Sequence, residues 1–419
     1  MTTHDQTVNA REAAFSALLS FFRDGKFLSE SLAEWQRHSR PSPLDYHLAQ
    51  EISYGSTRMA LALDFLGSEL SREKKLSLKL KEKVLLRTAL YQYFYLQKIP
   101  LYALTNETLR IAKKHCHSHF SGFLNAVLRK LGTFVPSLPS GDNAEQLSIR
   151  YSYPLYFVQK ILEEHGHSVA QQILSAGNRS PSVEFRVRTL AGGLPHGSRM
   201  IAEHPIPFAA LDDSQVLPVI TSSKHYYVQN RTPAFLLNGL CKEMAFQPKT
   251  ILDLCSAPGG KLIAVHDQFP EAALLAHDLT QAKIDLLQTN LDKYGIKAAL
   301  SCGKGEDFCV KDPVDVVILD VPCSNTGVLN KRPEARWRLS QESVCSLRHI
   351  QESLFANALT CVRSGGEIWY MTCSTLNEEN QGFAKEMSSK YGVPFRWQES
   401  ILADDSGMDG GFACAFRKD

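Results

Sequence analysis

Apolar residues recur at three- and four-residue spacing through the first third of the chain, a pattern that predicts amphipathic helices. Asn9, with Glu12 three positions later, has the spacing of a capping box ahead of the first helical run. The pattern then recurs over residues 45–56, 58–70, 80–96, 103–115 and 120–131. The sequence therefore predicts an all-helical domain over residues 1–137, with a Pro-, Ser- and Gly-containing linker at 135–145.

A regular alternation of apolar strands and helices begins at Thr250 and predicts a domain of a different class. Strands are predicted at 251–254, 273–278, 299–303, 314–321 and 367–372. Near-continuous apolar strands separated by helices are typical of a parallel sheet that is buried on both faces. Between the two domains, the pattern predicts helices at 155–164 and 169–176, a strand at 183–190 and then loops.

The composition is that of an ordinary globular protein, with 44% hydrophobic and 21% charged residues among 419. No apolar run approaches the ~18 residues that a membrane span needs, and the first residues, MTTHDQ, lack the pattern of a secretory signal. The ten Cys residues stand at irregular spacings without a CxxC pair, which predicts a reduced, cytoplasmic protein. A monomer is expected, because no heptad seam or large apolar surface pattern is visible.

Charge is distributed unevenly along the chain. Residues 1–140 contain 19 Lys and Arg against 12 Asp and Glu, whereas the remainder is mildly acidic and the whole chain carries +2. A basic N-terminal third is typical of an appended nucleic-acid-binding module. A solvated, Lys-rich helical surface would give the same count, and charge alone does not separate the two interpretations.

A glycine-containing turn and an acidic strand end predict a nucleotide-type site. The turn Ala257-Pro258-Gly259-Gly260 follows the first strand of the second domain and opens the next helix. Glycines there let the backbone approach a ligand, while the absence of GxGxxG and of GxxxxGK[ST] disfavours NAD and ATP. Asp278, which closes the second strand, could accept hydrogen bonds from ribose hydroxyls or could be an ordinary helix cap.

Two cysteines follow two neighbouring strands of the predicted sheet. Asp320 and Cys323 lie just past one apolar strand, and Cys373 lies just past the next. Because the carboxyl ends of the strands form the ligand crevice of such a sheet, these groups are expected to converge beside the cofactor turn. The cysteines outside these motifs are interpreted as inert apolar residues.

The segments DLCSAPGGK, DVPCSNTGVLNKRPEARW and TCSTLNEEN together resemble the RNA 5-methylcytosine methyltransferases that use S-adenosylmethionine. FLNAVLRKL, in the basic N-terminal region, is similar to the NusB-like domain of the bacterial RsmB/Sun group. The resemblance implies an α/β Rossmann-like methyltransferase with a mostly parallel sheet, preceded by an all-α NusB-like domain and a small α/β subdomain. The implied domains are 1–137 (NusB-like, RNA-binding), 146–230 (subdomain) and 231–419 (catalytic).

The resemblance also implies roles for individual residues. Cys373 would be the nucleophile, Cys323 would help to release the product, and Asp320 would lie between the cofactor and the target base. The residues implied to bind S-adenosylmethionine are Cys255, Ser256, Ala257, Pro258, Gly259, Gly260, Lys261, Asp278 and Asp320. No metal is implied, and the partner would be RNA, with 16S ribosomal RNA as the expected substrate.

Two features leave alternatives open. The family places an acid after the third strand, where this chain has Lys304, so that Glu306 or Asp307 would have to substitute. The basic segment after the PCS motif could clamp phosphates and stack a base, or could be a solvated loop with its Trp packed inward. The residues of that segment predicted to bind RNA are Lys331, Arg332, Arg336, Trp337 and Arg338.

Two rival functions remain at this level. In DNA 5-methylcytosine methyltransferases the nucleophile is the Cys of a Pro-Cys motif, which would be Cys323 here. The TCS motif and the NusB-like region argue against that class. The other rival is a non-enzymatic RNA-binding assembly factor with a degenerate cofactor fold, for which Lys304 is the only support.

Overall fold

The computed structural model describes residues 8–71, 77–189 and 193–419. The MTTHDQ segment and Leu190, at the end of one predicted strand, lie outside these residues. The chain divides into two compact units, one of residues 1–159 with 336–338 and the other of residues 160–335 with 339–419. The division falls at 159/160, within a helix, and not at the linker predicted at 135–145.

The first unit is helical, as the apolar spacing predicts. Its helices are α1 (Ala10–Asp24), α2 (Leu28–Ser39), α3 (Pro43–Arg58), α4 (Ala60–Leu70), α5 (Leu80–Tyr95), α6 (Leu101–His115), α7 (Ser118–Lys130), α8 (Ala144–Tyr151) and the start of α9 (Leu155–Ala176). The Asn9 side chain caps α1 by accepting from the Glu12 N–H at 3.0 Å. The Glu12 carboxylate is buried and binds Lys114 and His115 rather than closing the capping box.

Helix α9 crosses from the first unit into the second, and the two short helices predicted there are joined across a kink at Gly166. This residue has a non-helical conformation, with φ 72° and ψ 172°. Glycine reaches positive φ without a steric penalty, so the chain bends there and resumes the helix.

A small antiparallel sheet follows α9 along the chain and precedes the C-terminal part of the second unit. Its strand order is β2-β3-β1-β4, with α10 (Leu217–Ser222) before the last strand. The strands are β1 (Glu184–Val187), β2 (Ser198–Ala202), β3 (Phe208–Leu211) and β4 (Tyr226–Val228). Only the first was predicted, because Gly, Pro and His in the segments around the other three made this region resemble loops.

The C-terminal part of the second unit is built on a seven-stranded sheet in the order β10-β11-β9-β8-β5-β6-β7. Its strands are β5 (Thr250–Asp253), β6 (Ala273–Asp278), β7 (Ala299–Cys302), β8 (Val314–Asp320), β9 (Val362–Thr372), β10 (Phe395–Ile401) and β11 (Gly411–Arg417). Its helices are α11 (Arg231–Glu243), α12 (Gly260–Gln268), α13 (Gln281–Tyr294), α14 (Gln341–Cys361) and α15 (Gln381–Tyr391). Strands β5 to β9 are parallel, as predicted, whereas β11 pairs antiparallel with both β9 and β10.

Helices cover both faces of this sheet. Successive residues of a strand point to opposite faces, and accordingly Ile251 packs into one apolar core while its neighbour Leu252 packs into the other. Packing in the two cores fixes the position of each strand along its own direction. It therefore also fixes the position of the loops at the carboxyl ends of β5, β6, β8 and β9. Within the described residues, no helix combines the length and the apolar character that crossing a membrane requires.

Candidate active site

A cavity of about 940 Å³ opens at the carboxyl ends of the parallel strands. Cys255, Ala257, Pro258, Lys261, Asp278, Asp320, Cys323 and Cys373 all line it. The structure therefore brings together groups from the loops after β5, β6, β8 and β9, which are separated by up to 118 positions in the sequence. Ser256, Gly259 and Gly260 complete the turn after β5 without lining the cavity themselves.

The turn after β5 requires glycine at one position. Gly259 has φ +101° and caps the start of α12, a conformation that disfavours residues with a Cβ. A Cβ at Gly259 would also lie 2.7 Å from the Leu287 side chain. The N-terminus of α12, which is the positive end of its helix dipole, consequently lies beside the cavity.

Asp278 is buried at the end of β6 and is held by three donors. Its carboxylate accepts from the N–H groups of Ala257 and Leu279 at 2.9 and 2.7 Å and from the Lys283 ammonium at 2.8 Å. A carboxylate offers about four acceptor positions, so one remains for a ligand hydroxyl. Asp278 thus joins the glycine turn to the end of β6, which goes beyond the capping role that its position also allowed.

The acid sought after the third strand has a structural candidate. Lys304 and Glu306 both line the cavity, whereas Asp307 does not. The exposed apolar side chains of Leu279 and Ile350 line the same cavity, although residues of this type are usually covered. Neither was identified from the sequence, where each is one apolar residue among many.

An ion pair forms part of the cavity lining. Lys261 Nζ, on α12, is 2.5 Å from Asp320 Oδ2 at the end of β8. Burial lowers the pKa of Lys261, but the charge of Asp320 and its hydrogen bond outweigh this effect and raise the pKa above its ordinary value. Lys261 is therefore a cation in the resting site.

Asp253 is the last residue of β5 and is 1% exposed. Burial, followed by repulsion from Asp320, raises the pKa of Asp253 to about 7. One of its carboxylate oxygens finds no partner among the described residues. Asp253 is consequently the acid of the site whose protonation changes near neutral pH.

The two predicted cysteines are in contact. Cys323 Sγ lies 3.2 Å from Cys373 Sγ, and Cys373 also donates to Asn325 Oδ1 at 3.3 Å. Its hydrogen bond with Cys373 raises the pKa of Cys323 well above the ordinary value, and burial raises it further. Cys323 is 7% exposed, whereas Cys373 is only half-buried.

A buried polar network holds the two cysteine loops together, and sequence reasoning missed its central residue, Glu379. The hydroxyls of Ser324 and Ser374, each next to one of the cysteines, lie 3.1 Å apart. Glu379, fully buried, accepts from the Ser324 backbone N–H at 2.9 Å and from the Gln351 amide at 3.0 Å. The serines of the PCS and TCS motifs therefore fix the relative position of the two thiols.

The basic segment after the PCS motif separates into two parts. Lys331 binds the buried carboxylate of Asp409 at 2.5 Å, and Arg332 donates to Asn325 Oδ1 at 3.1 Å. Both residues line the active-site cavity, and Arg332 is exposed. Their side chains remain candidates for contact with RNA phosphates.

The other three residues of the segment belong to the helical unit, and the prediction of RNA contact by Arg336 is wrong. Arg336 is 0% exposed, donates to the carbonyls of Arg58 and Ser152 at 2.8 and 3.0 Å and lies 3.9 Å from the Tyr153 ring centre. Burial lowers its pKa to about 10.

Trp337 packs inward, which was the alternative interpretation of this segment. Its indole N–H donates to the Thr57 carbonyl at 2.7 Å, and its ring packs against the helical core. Arg338 is exposed but stacks on Phe27 and donates to the Gly25 carbonyl. The Trp337 ring is therefore not presented for stacking on a base, and the prediction for it is corrected.

The His-rich sequence at the end of α6 does not form a metal site in the structure. His115 binds Glu12 at 2.8 Å, while His117 occupies the N-cap position of α7. Among the residues that the structure describes, no group of three or more His, Cys, Asp or Glu side chains could hold a metal ion.

The parallel sheet with its cavity has the fold of a Rossmann-like methyltransferase domain and follows a helical N-terminal domain, and comparison with known families agrees. Residues 244–394 match the family described as 16S rRNA methyltransferase RsmB/F, and residues 8–133 match the NusB family. The chain is therefore similar to the RsmB/F methyltransferases in its second part and to the NusB family in its first, the two resemblances that its motifs predicted.

Individual relatives extend the similarity over most of the chain. Ribosomal RNA small subunit methyltransferase B of Proteus mirabilis is 27% identical, over 98% of this chain and 99% of the relative. The protein of the same name from Escherichia coli O1:K1 is 28% identical, over 89% and 88%.

Solved structures share the fold at lower identity. The crystal structure of PH0851 superimposes with a TM-score of 0.73 at 19% identity, over 97% of this chain and 98% of that one. NSun6 from Pyrococcus horikoshii with SFG gives a TM-score of 0.52 at 15% identity, over 64% and 99%. Both similarities concern the fold alone.

Proposed function

We propose that this protein transfers a methyl group from S-adenosylmethionine to carbon 5 of a cytosine in RNA, with 16S ribosomal RNA as the substrate. The observation that carries the proposal is the position of Cys373. Its thiol faces the cavity that the glycine turn and Asp278 also line, and it lies 3.2 Å from a second thiol. The RNA substrate is supported by the names of the relatives, which are small-subunit ribosomal RNA methyltransferases.

The cavity has the size and the groups that S-adenosylmethionine needs. Its volume of about 940 Å³ lies in the usual range for small-molecule sites. The free acceptor position on Asp278 suits a ribose hydroxyl, and the exposed faces of Leu279 and Ile350 suit an adenine ring. We assign the missing acid at this end to Glu306, since Asp307 lies outside the cavity. When bound, S-adenosylmethionine would supply an electrophilic methyl group.

The target base needs help to accept this methyl group, because carbon 5 of cytosine is a weak nucleophile. Addition of the Cys373 thiolate to carbon 6 moves the electron pair of the ring double bond onto carbon 5, which can then take the methyl group. Loss of the carbon 5 proton and cleavage of the carbon 6–sulfur bond then return the double bond and the thiolate.

The two cysteines differ in the way that these reaction steps require. A thiol attacks only after losing its proton. Cys323 retains its proton, because its hydrogen bond with Cys373 and its burial raise the pKa of the Cys323 thiol. Cys323 can therefore donate to a Cys373 thiolate and later assist its departure from the base. This asymmetry favours Cys373 as the nucleophile and disfavours the DNA-type assignment to Cys323.

The Lys261–Asp320 pair supplies charge beside the reacting ring. The Lys261 ammonium, held by Asp320 at 2.5 Å, lies close enough to Cys373 for the two to interact electrostatically. A fixed cation stabilises the thiolate and any negative charge that builds on the pyrimidine. Asp320, at the edge of the cavity, is the group that can contact the N3 side of the base. The base itself must be unpaired or extruded, because its ring faces are stacked inside a helix.

The test is methylation of purified 16S ribosomal RNA and of transfer RNA in parallel with labelled S-adenosylmethionine, followed by bisulfite mapping of 5-methylcytosine. Methylation of ribosomal RNA alone is expected. Cys373→Ala should abolish transfer, whereas Cys323→Ala should leave protein covalently attached to RNA. A stalled adduct in the Cys373 variant would reverse the assignment, and no binding of S-adenosylmethionine at high micromolar concentration would favour the non-enzymatic rival.

A further inference from the structure

Asn325 occupies an unusual backbone conformation directly between the two cysteines and the basic segment. It has φ +60°, in the left-handed region that Asn tolerates better than most residues. It follows Cys323 by two positions and lines the active-site cavity. The conformation turns its side chain back towards the two thiols, where both ends of the amide find partners.

The partners fix the orientation of that amide. Its Nδ2 donates to the Cys323 carbonyl at 3.0 Å, and a carbonyl can only accept. Its Oδ1 accepts from the Arg332 guanidinium at 3.1 Å, which can only donate. The group facing Cys373 is therefore an acceptor, and the Cys373 thiol must be the donor in that contact at 3.3 Å.

The direction of the remaining thiol contact follows. Each thiol has one proton, and that of Cys373 is used by Asn325. In the 3.2 Å contact between the sulfurs, Cys323 must then donate to Cys373. The site therefore contains a chain of hydrogen bonds that all point one way, from Cys323 to Cys373 to the Asn325 oxygen. The same oxygen also accepts from Arg332.

We propose that Asn325 is a positioning residue that restrains the resting nucleophile by binding the proton that Cys373 must lose before it can attack. A hydrogen bond that only the neutral form can make disfavours ionisation. The proposal rests on the proposed function in taking Cys373 as the nucleophile. Its test, however, needs neither RNA nor a methyl donor, so the two can fail separately.

The experiment measures alkylation of the full-length protein by iodoacetamide, in which the Cys373 thiolate displaces iodide and forms a thioether. Peptide mass spectrometry follows the rate at Cys373 across a pH series, and the exposed Cys345 in the same protein serves as the internal control. The variants are Asn325→Gly, which suits a positive φ and deletes the amide, and Asn325→Asp, which keeps the shape and adds a negative charge.

Asn325→Gly should alkylate Cys373 about five-fold faster at neutral pH, the factor for one hydrogen bond of about 1 kcal/mol. Its pH–rate profile should move to lower pH. Asn325→Asp should react more slowly, with a profile at higher pH, because a second negative charge opposes a thiolate. Cys345 should react equally in all three proteins. Equal Cys373 profiles in all three, or shifts of both variants in one direction, would overturn the proposal, since a merely structural role predicts no opposed shifts.

Discussion

The Sγ atoms of Cys323 and Cys373 lie 3.2 Å apart, although the residues are 50 positions apart and follow different strands. A disulfide bond is about 2.05 Å long, so a movement of about 1.2 Å would close one. The parallel pairing of β8 with β9 and the Ser324–Ser374 contact maintain this proximity.

The first prediction is therefore reversible inactivation by oxidation. Diamide, which takes up the two thiol hydrogens, should link the peptides of Cys323 and Cys373 and abolish methyl transfer, and dithiothreitol should restore both free thiols and activity. Peptide mapping without reduction detects the link, and Cys323→Ser serves as the control that cannot form it. Loss of activity without a linked peptide would contradict the prediction.

The second prediction concerns Asp253 and pH. Its pKa is raised from 3.8 to about 7 by burial and by Asp320. Between pH 3.8 and about 7, Asp253 is protonated in the folded protein but ionised in the unfolded chain. The stability that this bound proton contributes is therefore lost as the pH rises through about 7. Asp253→Asn keeps the shape without the charge, so it should gain about 3 kcal/mol of stability relative to the wild type between pH 5 and pH 8.

Thermal unfolding of both proteins across pH measures this difference. A gap between wild type and Asp253→Asn that stays constant with pH would show that Asp253 does not carry the titration.

The third prediction tests the network at Glu379. Removing its carboxylate in Glu379→Ala would leave the Ser324 and Gln351 donors buried without an acceptor, at about 1–3 kcal/mol each. The variant should unfold at lower denaturant concentration and lose methyl transfer, because the two thiols lose their fixed spacing. Glu379→Gln, which keeps one oxygen, is the matched control, and its stability should lie between those of the wild type and of Glu379→Ala. Equal stability of the Ala and Gln variants would argue against the network.

The fourth prediction separates the two arginines of the basic segment. Arg336→Ala should destabilise the helical unit by about 2–4 kcal/mol, because the carbonyls of Arg58 and Ser152 lose a buried donor. Arg332→Ala should leave stability nearly unchanged but weaken RNA binding and reduce its dependence on log salt by about one unit. Calorimetry and RNA titrations at several salt concentrations distinguish these effects, and a reversed pattern would return Arg336 to the RNA-binding surface.

Local pattern predicted much of the fold, and the failures have physical causes. Helical spacing placed α5 and α6 to within two residues, and continuous apolar strands predicted β5 to β9. The edge strand β10 escaped notice because most of its side chains are exposed, so that it lacks an apolar signal. Strand β11, buried except at Arg417, was missed with it, because the sequence does not show which strands a lone apolar segment pairs with or in which direction.

The candidate site shows the same division. Motifs at strand ends predicted the cavity-lining positions of Lys261, Asp278 and Cys373, because strand polarity alone brings such residues to one edge. The burial of Arg336 was not predictable, because its partners lie more than 180 positions away in sequence. Glu379 was equally hidden, since its role depends on the Ser324 backbone N–H, 55 positions away in the loop after β8.

The position of β11 inside the sheet has a consequence for synthesis. This strand is bonded on both sides, to β9 and to β10, although it is made after both. While the chain is being translated, β9 has an open edge until residue 417 has left the ribosome, and Cys373 follows directly from that strand. A nascent protein should therefore remain inactive until its sheet is complete, and should depend on chaperones to shield that edge.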